Sequence, residues 1–239
     1  MIGISNIIKI DKINLSIDKK QILKDLECQF ESGRILVLLG PNGSGKTSFL
    51  KCIKGLYKYD SGKIIREGRK WDYLEDSVMV FDEVALYEEL TGREHIKFVY
   101  ELSRADDRIS REEIMGYIEA LELCDYIDDL ISTYSLGTKK KVQFLCGLVS
   151  KPRVLLMDEY ISGIDPKVLY VVKKLMRDFV EKNNFLILST HMLDMAEKFC
   201  DDVILMKDGE IVGNELVSIK KVLREYGSLE EYYISLMGR

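Results

Sequence analysis

The stretch 40-GPNGSGKT-47 decides how this chain folds. It fits the spacing G-x-x-x-x-G-K-[ST], follows the apolar run 34-RILVLL-39 and opens a stretch typical of a helix, which Gly55 would end. Glycines let the backbone turn until successive N–H groups point inward, and a helix start adds the positive end of its dipole. A glycine-rich turn without a ligand is the alternative, but the order strand, loop, helix favours a loop that binds phosphate groups.

The residues of this loop have separate expected roles in binding a nucleoside triphosphate. Lys46 is expected to reach the β- and γ-phosphates, and Thr47 is expected to hold Mg²⁺. The remaining candidate contacts are Gly40, Pro41, Asn42, Gly43, Ser44, Gly45 and Ser48. The loop predicts a nucleoside triphosphate site without indicating which class of protein uses it.

Two acids follow the apolar strand predicted at 153-RVLLMD-158. Ligands of open α/β sheets bind at the carboxyl ends of the strands, where Asp158 and Glu159 would lie. Asp158 is expected to coordinate Mg²⁺, directly or through water, and Glu159 to orient or deprotonate the attacking water. A solvated strand end is the alternative, and the phosphate-binding loop upstream argues against it.

The two histidines have different contexts. His191 follows the apolar run 185-FLILS-189 and would reach the same sheet edge as Asp158, so it is a candidate contact to the γ-phosphate. A lone histidine is more often structural, which leaves a structural role open for His191. His95 lies in the first turn of a predicted amphipathic helix, and we assign it no chemistry.

Composition excludes several classes of protein. The 239 residues contain 35 Lys plus Arg and 40 Asp plus Glu, a net charge of −5, which gives no overall attraction to nucleic acid. The longest apolar runs are far shorter than the roughly 20 residues that span a bilayer, and the N-terminus resembles no signal peptide. We therefore expect a cytoplasmic globular protein. The five cysteines, odd in number and without C-x-x-C spacing, are expected to be reduced core residues.

The chain alternates between two patterns. Residues 2 to 38 favour strands, and from 153 onward strands alternate with helices up to a hairpin turn at Asp208-Gly209. Between them, roughly 84 to 150, the pattern is helical, with predicted capping boxes at Thr91 with Glu94 and at Ser110 with Glu113. A helical insertion therefore interrupts an α/β core that has a parallel sheet and crossover helices.

The order of these motifs resembles the nucleotide-binding subunit of an ATP-binding cassette (ABC) transporter over essentially the full length. The stretch 134-YSLGTKKK-141 lies where that family has its LSGGQ-type signature, with Ser135 and Gly137 matching. The resemblance implies ATP and Mg²⁺ as cofactors, and it implies that Ser135 and Gly137 face the ATP of a second subunit. Taken alone, Ser135 would be a helix N-cap. The stretch 162-SGID-165 matches the D-loop at the dimer interface, although Asp165 before Pro166 is also a good helix start.

The resemblance also implies the architecture. We expect an α/β P-loop NTPase fold with a mostly parallel, RecA-like sheet, an N-terminal antiparallel β subdomain and an inserted α-helical subdomain. One ABC ATPase domain would comprise residues 1–83 and 152–239 as the core with the β subdomain. Residues 84–151 would form the helical insertion that contains the signature.

Three parts of the sequence depart from the family pattern. Ile17 stands where the family usually stacks an aromatic residue on adenine, so an aliphatic contact would replace the stacking. Asp82 stands at the Q-loop glutamine and is a candidate Mg²⁺ ligand with a shorter reach than the Glu of many export-type members. Leu136 and Thr138 replace the Gly and Gln of the best-known signature, a variation shared with export-type relatives.

The resemblance therefore implies an ATP-hydrolysing subunit, similar to the export-type bacterial branch. Two copies, or this chain and a paralogue, would close head to tail around two ATP molecules. A separate transmembrane permease would dock between residues 82–90 and the helical insertion, holding the subunit on the cytoplasmic face of the cell membrane. The short tail after Asp208 leaves no room for the regulatory domain that some sugar importers have, which favours export. The rival hypothesis is a regulatory or degenerate module that binds ATP with little hydrolysis. A third class, soluble ABC ATPases that act on DNA or ribosomes, would need a long coiled coil between the motifs or a second cassette, and the 239 residues contain neither.

Overall fold

The computed structural model describes residues 7–66, 77–103, 109–161 and 163–238. Residues 2–6 of the predicted N-terminal strand region and Ser162 of the predicted D-loop lie outside the described residues. The strands are β1 (Ile7–Ile17), β2 (Lys20–Glu31), β3 (Ile35–Leu39), β4 (Ser61–Arg66), β5 (Ser77–Phe81), β6 (Val154–Asp158), β7 (Phe185–Ser189), β8 (Asp202–Lys207) and β9 (Glu210–Ser218). The helices are α1 (Lys46–Lys54), α2 (Gly92–Leu102), α3 (Arg111–Ala120), α4 (Leu136–Val149), α5 (Pro166–Glu181), α6 (Leu193–Phe199), α7 (Ile219–Tyr226) and α8 (Leu229–Met237).

The N-terminal sheet is antiparallel, with the order β2-β1-β4. Its strands alternate buried and exposed side chains because one face lies on the core and the other meets solvent. Asp18 and Lys19 form the β1–β2 turn with positive φ angles. The predicted antiparallel β subdomain is confirmed.

The second sheet has the order β5-β6-β7-β3-β8-β9. Its strands run parallel except β9, which returns antiparallel from β8 through a two-residue turn at Asp208-Gly209 with φ angles of 49° and 82°. All residues of β3 and β7 are buried, as expected for strands covered on both faces. The mostly parallel core and the hairpin turn are therefore confirmed.

Side chains of β3 alternate between two hydrophobic clusters. Ile35, Val37 and Leu39 join a cluster that includes the helices α2 to α6, while Leu36 and Leu38 join one that includes the N-terminal sheet and α1. The strand therefore lies between two layers, and the loop that follows it is held from both sides.

Helices α2 to α4 lie between β5 and β6 in the chain, so the helical insertion exists, while its proposed boundaries at 84 and 151 stay a prediction. The capping box at Thr91 and Glu94 is confirmed. At Ser110 only half of the predicted box forms: the Ser110 hydroxyl accepts the N–H of Glu113, but the Glu113 carboxylate binds Tyr117 and Lys182 instead of returning to the cap. Partners from outside the turn therefore override the local pattern.

Four of the five cysteines are buried, as predicted, but Cys124 is exposed. Burial raises the pKa of the Cys28, Cys52 and Cys146 thiols to about 12. The prediction of a core position was wrong for Cys124, which lies in the turn region after α3 and not on an apolar face.

Within the described residues, no helix combines the length and the apolar composition needed to span a membrane.

Candidate functional site

The loop between β3 and α1 has the backbone of a phosphate cradle. Gly40, Gly43 and Gly45 have φ angles of 156°, 81° and 103°, which side chains rarely allow. At Gly40 a Cβ atom would also lie only 2.1 Å from the carbonyl oxygen of Met206. The loop therefore needs glycine both for its conformation and for its close approach to β8.

Two polar groups point into this loop. The Lys46 ammonium donates to the carbonyl oxygens of Gly40 at 2.8 Å and Pro41 at 3.2 Å. Burial lowers the pKa of Lys46, and the charges of Glu159 and Asp158 oppose that shift. Ser44 Oγ is buried and has no hydrogen-bond partner among the described residues. A phosphate oxygen would satisfy both groups, so the loop fits the triphosphate that the sequence predicts.

Thr47 and Asp158 meet where the loop faces the end of β6. The Thr47 hydroxyl lies 2.8 and 3.0 Å from the two carboxylate oxygens of Asp158, and the Ser189 hydroxyl donates to Asp158 Oδ1 at 2.6 Å. Within the described residues, no group of three or more His, Cys, Asp or Glu side chains could hold a metal ion by itself. One carboxylate and one hydroxyl suit Mg²⁺, which usually takes few protein ligands and adds phosphates and water.

Glu159 and His191 form a second pair beside Asp158. Glu159 has a positive φ of 50°, which is strained for a residue with a side chain. Its N–H points to the Ser189 carbonyl oxygen at 3.2 Å and to Ser189 Oγ at 3.1 Å. His191 Nδ1 lies 2.9 Å from Glu159 Oε2. The strained backbone thus directs the Glu159 carboxylate to the imidazole.

A cavity of about 350 Å³ joins the loop to the histidine. It is lined by Leu39, Gly40, Pro41, Asn42, His191, Leu193 and Tyr233. Tyr233 lies on α8, and Glu197 of α6 accepts the N–H of Leu229 at the start of that helix at 2.7 Å. The tail therefore packs on the helix that follows His191 and supplies one wall of the cavity.

Other predicted site residues lie on separate elements. Ser135 is the N-cap of α4, where its hydroxyl accepts the N–H of Thr138 at 3.2 Å, and the neighbouring Leu136 is 65% exposed. Asp165 caps α5 by accepting the N–H of Lys167 at 2.9 Å. Both caps were predicted alternatives and are confirmed as local structure. Gly137 follows in the first turn of α4, on the surface side of the helix start.

Ile17 and Asp82 lie at the ends of β1 and β5. Ile17 pairs with Lys20 across the hairpin turn and is 36% exposed. The same hairpin approaches the loop, since a Cβ on Gly45 would lie 2.9 Å from Leu23. The Asp82 carboxylate pairs with Lys140 of α4 at 2.8 Å.

Three residues of this region were missed by sequence reasoning. Ser189 is fully buried and contacts both Asp158 and Glu159. Its position at the end of a strand next to β6 is a signal that could have identified it. Tyr160 and Lys140 join through contacts between distant segments, which no local pattern reveals.

Comparison with known protein families agrees with this geometry. The family described as ABC transporter matches residues 23–162, which is more than half of the chain. The chain belongs to the ABC transporter family. The matched segment includes the loop, the signature stretch and the acids after β6.

Similar proteins lie within the same family. This ABC ATPase is 31% identical over 211 residues to YdbJ of Bacillus subtilis, an uncharacterized ABC transporter ATP-binding protein, covering 86% of this chain and 68% of that one. It is 27% identical over 207 residues to the lantibiotic transport ATP-binding protein SrtF of Streptococcus pyogenes, with 86% and 89% covered. The solved structure of an ATP-binding subunit of an ABC transporter shares the fold, with a TM-score of 0.86, 24% identity and 97% and 99% covered.

These matches confirm the resemblance drawn from the order of motifs. The chain is an ATP-binding subunit of the ABC transporter type, from a family of ATPases coupled to transport. Its fold is the P-loop ABC ATPase fold, in which an antiparallel N-terminal sheet accompanies a mostly parallel core. ATP is the nucleotide that this family of ATPases binds.

Proposed function

We propose that this ABC ATPase hydrolyses ATP between two subunits and so drives a membrane exporter through dimer closure. The observation that supports this most strongly is the pairing of Glu159 with His191 beside the Thr47–Asp158 pair. A carboxylate with a positioned imidazole partner can act as a general base, while the neighbouring hydroxyl and carboxylate suit Mg²⁺.

The residues of the loop and of the carboxyl ends of β6 and β7 have separate parts in that reaction. Bound Mg²⁺ would neutralise charge on the phosphate oxygens, and Thr47 and Asp158 would hold it. Lys46 and the loop N–H groups stabilise negative charge on the β- and γ-phosphates. Glu159 orients a water molecule and accepts its proton, and His191 holds the Glu159 carboxylate in place. Asp82 is a further candidate Mg²⁺ ligand from its position after β5.

The second subunit would complete the site. Ser135 and Gly137 lie at the exposed start of α4, where N–H groups and the positive end of the helix dipole favour an anion. Among the described residues, the hydrogen bonds of the Ser135 hydroxyl go to Thr138 of its own helix turn. The neighbouring Leu136 is 65% exposed, so the start of α4 faces solvent. We propose that this surface meets the ATP bound by the partner subunit, with Asp165 at the same interface.

The adenine would lie against the β1–β2 hairpin. Ile17 offers a partly exposed aliphatic surface, in place of an aromatic ring, on the hairpin that approaches the loop at Leu23. Base stacking on an aromatic ring contributes on the order of 1–3 kcal/mol, so an aliphatic contact predicts weaker base selectivity.

A separate permease would dock on an exposed aromatic surface formed between residues 82–90 and α2 of the helical insertion. Tyr87 and Phe98 are 57% and 39% exposed, and their rings contact each other at a centroid distance of 5.5 Å. An apolar segment of a membrane protein suits such a surface. The permease would hold the ATPase on the cytoplasmic face of the membrane. The net charge of −5 gives no support to a nucleic-acid partner.

Export is the direction we propose. The Ser135-Leu136-Gly137 variant of the signature resembles export-type members, and SrtF is named for lantibiotic transport. The dimer could contain two copies of this chain or one copy with a paralogue.

Dimer closure can be tested by size-exclusion chromatography of the Glu159→Gln variant with ATP and Mg²⁺. Blocked hydrolysis should trap a dimer. Ser135→Arg in the same background should return the protein to monomer, because a large charged side chain then replaces the capping serine at the surface that meets the partner's ATP. Leu223→Arg, an exposed position on α7, serves as the matched control. A Glu159→Gln protein that stays monomeric at millimolar ATP would contradict a homodimer, and mixing with a paralogue tests the heterodimer.

Permease binding can be tested by purification of the tagged chain from detergent-solubilised membranes. A polytopic membrane protein should co-purify with the wild type and be lost from Tyr87→Asp. Leu223→Asp should retain it, because that residue is exposed on the tail helix. Recovery of soluble monomer alone would contradict a transport role.

A further inference from the structure

We propose that Lys140 is a positioning residue that couples two parts of its own subunit. One is the start of α4, which contains Ser135 and Gly137, and the other is the ends of β5 and β6, where Asp82 and Glu159 lie. The inference rests on the proposed dimer, since the start of α4 acts there on the partner's ATP. Its structural basis is a set of contacts that join α4 to the ends of β5 and β6.

The Lys140 ammonium is the first of these contacts. Its side chain is only 8% exposed, and Nζ lies 2.8 Å from Asp82 Oδ1. The neighbouring Lys139 pairs instead with Glu88 at the surface. A buried ammonium is costly to desolvate, so the nearby Asp82 carboxylate stabilises the charge of Lys140.

Tyr160 is the second contact, and it directly follows Glu159. Its hydroxyl donates to the Lys140 carbonyl oxygen at 2.5 Å, and the Lys140 ammonium lies 5.9 Å from the centre of its ring. The ring also stacks on Phe144 with a centroid distance of 5.9 Å. Because Tyr160 is buried and bound to α4, a shift of α4 would move Tyr160 and, with it, the adjacent Glu159.

Gln143 is the third contact. Its side-chain amide donates to the carbonyl oxygens of Phe81 at 3.3 Å and Glu83 at 3.1 Å, on either side of Asp82. Gly147 continues the close packing, since a Cβ there would lie 3.0 Å from Val80. The end of β5 is therefore bound to α4 by both a charge and an amide.

These contacts make α4 a rigid link between two sites. Ser135 precedes Lys140 by five residues, or about 7.5 Å of helix. A displacement of Glu159 or Asp82 on ATP binding would pass through Tyr160 and Lys140 to the helix start. Asp82 then acts through Lys140, which is an alternative to the Mg²⁺ role proposed for it above.

The test compares Lys140→Met with Lys139→Met, since both keep the aliphatic stem and remove one charge. Each is placed in the Glu159→Gln background, and two quantities are measured: ATP affinity of the monomer and the ATP-driven dimer dissociation constant. Lys140→Met should weaken dimerisation about tenfold, within the usual range of coupling between sites, and leave monomer affinity within twofold. Lys139→Met should change neither quantity, and equal effects of the two variants would overturn the proposal.

Asp82 variants separate positioning from metal binding. Asp82→Asn and the double variant with Lys140→Met should both match Lys140→Met in dimerisation, because the two residues act as one unit. Asp82→Glu keeps the carboxylate and should therefore retain most of the ATP-driven dimerisation that Asp82→Asn loses. Turnover is measured in single variants that keep Glu159. An increase in the Mg²⁺ concentration for half-maximal turnover in Asp82→Asn, without one in Lys140→Met, would assign Asp82 to the metal and contradict the proposal.

A failure of the dimer hypothesis would be recognised separately. If the Glu159→Gln parent does not dimerise with ATP, the coupling is measured within one chain by amide hydrogen exchange of residues 135–140 with and without ATP. ATP should protect these amides in Lys139→Met and not in Lys140→Met. Equal protection in both variants would overturn the coupling itself, and Lys140→Gln replaces Lys140→Met if the latter does not fold.

Discussion

His191 Nδ1 lies 2.9 Å from the Glu159 carboxylate. The contact results from adjacent parallel strands, since Asp158 of β6 pairs with Ser189 of β7 and each functional residue follows within two positions. The imidazole is more exposed than the carboxylate, with 65% and 24% of their side-chain surfaces accessible. His191 can therefore meet a ligand while it holds Glu159.

Replacing His191 by alanine should lower ATP turnover by roughly 10²-fold, a loss typical of a removed positioning or charge-stabilising donor. ATP affinity should change much less, because Lys46 and the loop still bind the phosphates. His95→Gln is the matched control, since His95 lies in α2 away from the site. Unchanged turnover in His191→Ala, measured by phosphate release, would remove His191 from the mechanism.

Ser189→Ala should lower turnover through the two acids that it contacts. The hydroxyl donates to Asp158 and accepts the N–H of Glu159, so its loss leaves the Asp158 carboxylate with one donor fewer and the Glu159 N–H with one acceptor fewer. Roughly tenfold slower phosphate release is expected, at about 1–2 kcal/mol for such a bond. Ser189→Thr should restore part of the rate, and a Ser189→Ala protein with wild-type turnover would show that the contact is only structural.

Two glycine substitutions should have opposite effects on stability. Gly40→Ala places a Cβ 2.1 Å from the Met206 carbonyl oxygen, so the free energy of unfolding should fall by about 2 kcal/mol or more and ATP binding should be lost. Gly116→Ala meets no atom within 4 Å on α3 and should raise stability by about 0.5–1 kcal/mol. Denaturant unfolding and ATP titration measure both, and similar effects at the two positions would contradict the described loop.

His95 should make stability depend on pH. Burial among Tyr87 and Phe98 lowers its pKa below the ordinary value of 6.5, and its Nδ1 has no hydrogen-bond partner within the described residues. The unfolded chain therefore binds a proton first as the pH falls, so stability present above pH 6.5 is lost as the pH drops through the lower folded pKa. His95→Gln should reduce this loss between pH 7 and 5 in thermal unfolding. An identical pH profile in both proteins would contradict it.

Local chemistry made much of the fold predictable. The loop at Gly40, the caps at Thr91 and Asp165 and the turn at Asp208 depend on neighbouring residues, and the structure has each of them. Ser110 shows the limit, because Glu113 left its predicted box for Tyr117 and Lys182. Tyr117 is four residues away on the same helix, but Lys182 comes from a segment 69 residues away that the pattern near the cap does not reveal.

Contacts between distant segments could not be predicted in the same way. Asp82 and Lys140 are 58 residues apart, and their pairing depends on how α4 packs across the ends of β5 and β6. The order β5-β6-β7-β3-β8-β9 likewise depends on how crossover helices place each strand, which no single segment encodes. The sequence therefore predicted local turns and caps better than the contacts between distant segments.

The most direct test of the account is the rate of phosphate release from ATP by wild type and Glu159→Gln. A general base contributes about 10²- to 10⁴-fold, so the wild type should release phosphate at least about 10²-fold faster while both proteins bind ATP. Glu210→Gln, which removes a surface carboxylate paired with Lys24, should keep the wild-type rate. Equal rates in wild type and Glu159→Gln would contradict the account and favour a module that binds ATP with little hydrolysis.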